Sequence, residues 1–173
     1  MMNLRATLKL AHSLLEENNI PHALIGGLAL ACYGSTRATV DLDLVVGEVN
    51  KQKVIGLLEK NGFDLVNESP EVLQFSGLGY VDVLLARRPM AQKILEEANS
   101  GGPEGIRFVK SEDLIGLKIQ AYCNDASREL QDKADIQFLL ENVTDLDWGR
   151  IKTYADLFNQ WEVINDIKNK IKF

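Results

Sequence analysis

The run from Gly26 to Val46 constrains this chain more than any other stretch. It follows a short apolar segment (Ala23, Leu24, Ile25), opens on Gly26-Gly27, and closes on Asp41 and Asp43 set into a second apolar segment that ends at Val46. Successive side chains of a strand point to opposite faces. As a strand, residues 41–46 place Asp41, Asp43 and Val45 on one face and Leu42, Leu44 and Val46 on the other. Neighbouring carboxylates repel, and burying them unpaired costs several kcal/mol or more. A positive partner is therefore expected between them. A hard divalent cation such as Mg2+, which takes oxygen ligands, is the simplest one.

The two glycines read the same way. Ile25 reads as the end of a strand and Leu28 to Tyr33 as a short helix, so Gly26 and Gly27 stand at a strand-to-helix turn. Without Cβ atoms they let a ligand approach the backbone closely. The start of a helix offers free N–H groups and a positive dipole end, which favour an anion such as phosphate. One stretch thus offers a phosphate seat and a metal seat, the pairing a nucleoside triphosphate with its magnesium requires. Arg37, shortly before the aspartates, suits either of two compatible roles: counter-ion to Asp41 or Asp43, or a bidentate grip on nucleotide phosphates. Thr39 is expected to shape the loop.

Composition sets the frame. A chain of 173 residues with 46% hydrophobic and 25% charged residues is that of an ordinary globular protein with a sizeable core. No apolar run approaches the roughly 18 residues that span a bilayer. The N-terminus has no signal-peptide pattern, since Glu16 and Glu17 follow its apolar residues, and the cytoplasm is the expected compartment. The net charge of -6 argues against an indiscriminate nucleic-acid binder. Arg87-Arg88 and the Lys168, Lys170, Lys172 tail are the candidate basic patches, with a solvated face as the plainer reading of both. Cys32 and Cys123 have no metal-type spacing and are expected to be small buried residues. His12 and His22 form no zinc-type pair by spacing, and neither is expected to be a ligand.

In chain order, Leu4, Leu8, Ala11 and Leu15 recur at helical spacing from about Asn3 to Asn18, and Pro21 lies beyond the stop. His22 to Ile25 is a first strand and Asp41 to Val46 a second. Asn50 is placed to cap a helix to Lys60, which Asn61-Gly62 ends. Residues 63–66, 72–76 and 80–85 read as strands, with a hairpin turn over Ser76 to Gly79. A helix over residues 87–98, a glycine-rich connection over 99–105 and a short strand over 106–109 follow. Ser111 is placed to cap a helix through about Tyr122, on which Lys118 shares a side with Leu114 and Ala121. Its ammonium serves either a bound phosphate or the surface, with the stem over the core. A helix over residues 128–140 carries Asp132, Lys133 and Asp135. Two short helical patterns with Trp148, Leu157, Trp161, Ile164 and Ile167 fill residues 147–173. The aromatics there are expected to make core or partner contacts.

Asp82 is a lone charge inside the apolar run Tyr80 to Leu85. A solvent-facing edge position would explain it; an inward position would need a partner. Asp64 and Glu71 are weaker candidates for the same role because both lie near strand ends.

Gly26-Gly27 followed by Arg37-x-Thr39-x-Asp41-x-Asp43 resembles the nucleotidyltransferases of the DNA polymerase beta superfamily, and more narrowly the small AbiEii/AbiGii-type toxin nucleotidyltransferases. The resemblance covers most of residues 21–140. Gly27 stands where many superfamily members carry serine, at the loss of one hydroxyl contact to phosphate. The resemblance implies an α+β protein whose mixed sheet is flanked by helices, with a nucleotidyltransferase core over residues 1–110 and a helical C-terminal part over 111–173 packed on it. It implies that Asp41, Asp43 and Asp82 hold two Mg2+ ions and are the catalytic carboxylates, Asp82 as general base. It also implies that Gly26, Gly27, Arg37 and Lys118 bind the nucleotide. The expected reaction moves a nucleoside monophosphate from a nucleoside triphosphate to an acceptor hydroxyl. A transfer RNA end or a protein is favoured as acceptor, with an antitoxin as a further partner and no membrane. The alternatives are an aminoglycoside-type acceptor and a non-catalytic nucleotide- or partner-binding module.

Overall fold

The computed structural model describes residues 3–171. The basic residue Lys172 and the end of the last helical pattern lie outside them. The described residues form two compact units, one of residues 3–32 and 37–109 and one of residues 33–36 and 110–171.

The first unit is a five-stranded mixed sheet with helices. Its elements are α1 (Leu4–Glu17), β1 (His22–Leu24), α2 (Gly26–Cys32), β2 (Asp41–Gly47), α3 (Lys51–Lys60), β3 (Asp64–Glu68), β4 (Val72–Ser76), β5 (Tyr80–Ala86) and α4 (Pro89–Glu96). The strand order is β1-β2-β5-β4-β3. β2 and β5 run parallel, whereas β1–β2, β4–β5 and β3–β4 are antiparallel.

Pairing partners share a face, so the register sorts the sheet into two surfaces. Leu42, Leu44 and Val46 of β2 pair with Val81, Val83 and Leu85 of β5, and Phe75 and Leu73 of β4 pair with Val81 and Val83. All are buried, and α1 lies against β2 and β5. α1 supplies Leu8, Ala11 and Leu15 at the spacing of one helical face. The opposite surface carries Asp41, Asp43, Tyr80, Asp82, Gln74 and Ser76 toward one end of β2, β5 and β4 and is apolar toward the other, at Val45, Leu84 and Val72.

Several boundaries differ from the sequence expectation, for local reasons. α2 begins at Gly26, so both glycines lie in its first turn rather than ahead of it. Asn50 precedes α3 but makes no side-chain cap bond, because a tight turn over Glu48–Asn50 already leads into the helix. Residues 106–109 make isolated bridges, Phe108 to Leu24 and to Asn99, and not a continuous strand.

The second unit is helical: α5 (Ser111–Asn124), α6 (Glu129–Asn142), α7 (Trp148–Leu157) and α8 (Trp161–Lys170). Ser111 does not cap α5. Lys110 holds the cap position, and the Ser111 hydroxyl donates to Glu112 at 3.0 Å. Two buried ionic groups tie the helices of this unit. Asp113 accepts from Arg150 Nε at 2.6 Å and Nη2 at 2.8 Å and from the Tyr154 hydroxyl at 2.6 Å, joining α5 to α7. Lys118 donates to Asp132 at 3.1 Å and Asp135 at 2.5 Å, joining α5 to α6. Buried charges persist when paired in this way, and losing one partner costs about 3–5 kcal/mol. Trp148 and Trp161 are half-buried beneath the ammonium groups of Lys168 and Lys152, and Leu157 is exposed. Cys32 is half-buried, but Cys123 is exposed, against the expectation of a buried thiol.

Candidate active site on the polar face of the sheet

Asp41 and Asp43 stand two apart on β2 and therefore on one face, and Asp82 of β5 is the direct register partner of Asp43. The parallel β2–β5 pairing sets this arrangement. The β4–β5 hairpin returns the chain so that β5 lies beside β2, and its turn is closed by a Gly77 N–H to Gly79 carbonyl bond of 3.1 Å. All three carboxylates are half-buried.

The glycine turn meets these carboxylates directly. The Ile25 N–H donates to the Asp43 carbonyl at 3.0 Å, which fixes the end of β1 against β2. Gly26 has φ of +60°, and a Cβ there would come within 2.2 Å of Asp43 Oδ2. The glycine is required twice, by its backbone conformation and by the carboxylate pressed against it. A Cβ on Gly27 would meet the Thr39 side chain at 2.7 Å, so the loop before β2 closes over the second glycine. Arg37 is exposed in that loop, with Nη1 3.4 Å from the Ala38 carbonyl.

One residue of this surface escaped the sequence reading. Gln74 of β4 pairs with Asp82, and its amide donates to Asp82 Oδ2 at 3.1 Å. The Asn67 amide of β3 donates in turn to Gln74 Oε1 at 2.9 Å. The signal was present: Gln74 is the polar position between Leu73 and Phe75, opposite in phase to the buried pair.

Lys118 belongs to the second unit, buried between Asp132 and Asp135, rather than a surface lysine. Asp64 pairs with Ser76 at the start of β3, and Glu71 lies 3.9 Å from Arg88. Arg87 pairs with Glu48 at 2.8 Å, so each arginine of the Arg87-Arg88 pair has an acidic neighbour. A cleft of about 610 Å³ opens at the other ends of β2 and β5, lined by Gly47, Glu48, Ala86, Leu95 and Arg107; the aspartates do not line it. Among the described residues, no helix is long and apolar enough to cross a membrane.

The donor set on the polar face suits a hard cation. It is made of carboxylate oxygens from two adjacent strands, and the backbone beside it carries no side chain at Gly26.

No family model and no curated protein matches the sequence. Solved structures do match the fold. The antibiotic-resistance factor ANT(2'')-Ia aligns with a TM-score of 0.69 at 16% identity, over 96% of this chain and 97% of its own. An antigenic nucleotidyltransferase-like protein from Paracoccidioides brasiliensis aligns with a TM-score of 0.61 at 17% identity, over 98% and 94%. The lincosamide antibiotic adenylyltransferase LnuA, solved with lincomycin bound, aligns with a TM-score of 0.55 at 18% identity, over 79% and 96%. The chain therefore has the α+β nucleotidyltransferase fold, with a mixed five-stranded sheet and a helical C-terminal part.

Proposed function

We propose that this protein is a nucleotidyltransferase that moves a nucleoside monophosphate from a nucleoside triphosphate to an acceptor hydroxyl. The observation that carries the proposal is Asp82 beside Asp43 on the polar face, with the Gly26 backbone against Asp43. Asp41, Asp43 and Asp82 would hold Mg2+, two ions in all, which supplies charge neutralisation on the triphosphate and a lowered pKa for the acceptor hydroxyl. Asp82 takes the acceptor proton as general base. The Gln74 amide, which donates to Asp82 Oδ2, orients that carboxylate. The amides of the Gly26-Gly27 turn receive the triphosphate, and Arg37, exposed in the adjoining loop, neutralises charge on the departing pyrophosphate. For Lys118 the proposal is narrower. Asp132 and Asp135 already compensate its charge, so it holds α5 to α6 within the helical unit and is assigned no contact with the nucleotide.

The acceptor is proposed to be a small molecule. ANT(2'')-Ia has been solved in complex with adenylyl-2''-tobramycin and LnuA with lincomycin. The net charge of -6 also disfavours a polyanionic acceptor. A transfer RNA end or a protein hydroxyl, with an antitoxin partner, is the second reading, carried by the resemblance of the Gly-Gly, Arg-x-Thr and Asp-x-Asp signature to the toxin group. Labelled nucleotides with Mg2+ and separate pools of hydroxylated small molecules, cell RNA and cell protein decide between them. Asp43→Asn should abolish label transfer to every pool while the circular dichroism spectrum is unchanged. Retained transfer in that variant would falsify the carboxylate mechanism. Metal-dependent triphosphate binding without transfer to any pool would point to a binding module.

A further inference from the structure

A second group of ligand-type side chains lies on the other face of the sheet from the aspartates. His12 and Glu16 are four residues apart on α1 and share one side of it. His22 opens β1 and pairs with Val46, on the apolar face with Leu44 and Leu42. The ten-residue spacing hid this meeting, because it depends on β1 folding back along α1. One ring nitrogen of each histidine and a Glu16 carboxylate oxygen all lie within 4.8 Å of one another. His22 Nδ1 is 2.7 Å from the Ile20 carbonyl oxygen, which can only accept, so Nδ1 carries the proton and Nε2 presents its lone pair. That Nε2 is 2.8 Å from His12 Nδ1. A ring N–H anchored on a backbone carbonyl is the outer-shell arrangement that stands behind metal-ligating histidines.

We infer that His12 Nδ1, His22 Nε2 and the Glu16 carboxylate form a site for a borderline divalent ion, Zn2+ by its chemistry, which ties α1 to β1. Two imidazoles and one carboxylate suit zinc and are poor ligands for Mg2+, and three protein ligands leave a fourth position for water. Nitrogens now 2.8 Å apart need to open to roughly 3.3 Å to make two Zn–N bonds of about 2.0–2.1 Å at a tetrahedral angle. His12 is half-buried on the helix surface and can make that shift, its Nδ1 proton moving to Nε2. The Glu16 side chain is 65% exposed, and its Oε1 lies 4.0 Å from His22 Nδ1, so it has to swing toward the Nε2 side to meet an ion, a movement that breaks no buried contact. The Arg107 guanidinium acts on the same ring and is held by the Glu96 and Ala98 carbonyls. Its charge works against an ion bound by charge alone and leaves the imidazole lone pairs as the main attraction.

The test uses the full chain, with Co2+ as the spectroscopic probe and Zn2+ as competitor, in excess Mg2+ so that the aspartates are saturated. Wild type should take one equivalent of Co2+ with the visible bands of a low-coordinate nitrogen–oxygen site, and Zn2+ should erase them. Zn2+ should also raise the melting temperature. His12→Gln should abolish the bands. Glu16→Gln, a change at the surface that leaves the core intact, should weaken Co2+ by at least roughly tenfold, the lower end of what even an outer-shell partner is worth. Asp43→Asn should keep full binding, which separates this site from the proposed catalytic one. No band in wild type, an unchanged band in His12→Gln, unchanged affinity in Glu16→Gln, or loss of the band in Asp43→Asn each overturns the assignment.

Discussion

Gly26 shows how one missing carbon can govern a site. Its φ of +60° lies in the left-handed region, and the space a methyl group would fill is taken by Asp43 Oδ2. Gly26→Ala therefore has two consequences that can be measured separately. The backbone conformation costs roughly 1–2 kcal/mol for an L side chain, read in a urea melt. The carboxylate is also displaced by about 1 Å, a shift worth on the order of 100-fold in a positioned reaction, read as nucleotide-transfer kcat/KM. A variant that loses stability but keeps its transfer rate would show that Asp43 does not act on the nucleotide. Gly27→Ala is the comparison. Its Cβ meets the Thr39 side chain, which can rotate away. The loss there should be smaller.

At the level of strands and helices, the polar face is a ladder that runs from Asn67 through Gln74 to Asp82 across three strands. Gln74→Leu keeps the volume and β-propensity of the position but removes the amide that donates to Asp82 Oδ2. Transfer should fall roughly 10-fold or more, as for other outer-shell partners of functional carboxylates, with the melting temperature unchanged or raised. Equal activity in wild type and Gln74→Leu would mean that the amide does not position Asp82. The ladder also marks what could be read from the chain alone. The alternation of β2 fixes the faces of Asp41, Asp43 and Leu42 because a strand has period two, and the turn over Ser76 to Gly79 announces the β4–β5 hairpin. That Asp82 stands opposite Asp43 follows from the parallel register of β2 and β5, which no local pattern encodes. Gln74 could have been found by phase and was not. The β3 register, which shifts between Leu65 and Asn67, had no signal. The His12–His22 contact likewise depends on how an edge strand crosses a helix.

Across the molecule, the two units are held by different means. The sheet unit buries mainly apolar side chains, whereas the helical unit also buries charged groups, among them Asp113, Lys118, Asp132 and Asp135. That choice has an alkaline consequence. Burial pushes the Tyr122 and Tyr154 phenols above their ordinary value of 10.0, and Tyr154 is raised further by donating to the Asp113 carboxylate. A group whose folded pKa is raised contributes stability that is complete below its unfolded pKa and is lost as pH climbs toward the folded one. Above about pH 10 the unfolded chain releases both protons while the native state keeps them, so stability falls with a slope of up to about 2.7 kcal/mol per pH unit. Both tyrosines lie in the helical unit, so the urea transition that reports its helices should shift down between pH 10 and 12, with tyrosinate absorbance appearing only on unfolding. Tyr122→Phe should halve that slope at little cost at pH 7. Tyr154→Phe should halve it too, but at a cost of about 1–3 kcal/mol at neutral pH, because the Asp113 carboxylate loses a donor. Tyrosinate absorbance rising in the native state near pH 10 would show that the phenols are not held as the hydrogen bonds to Asp113 and Gln160 require.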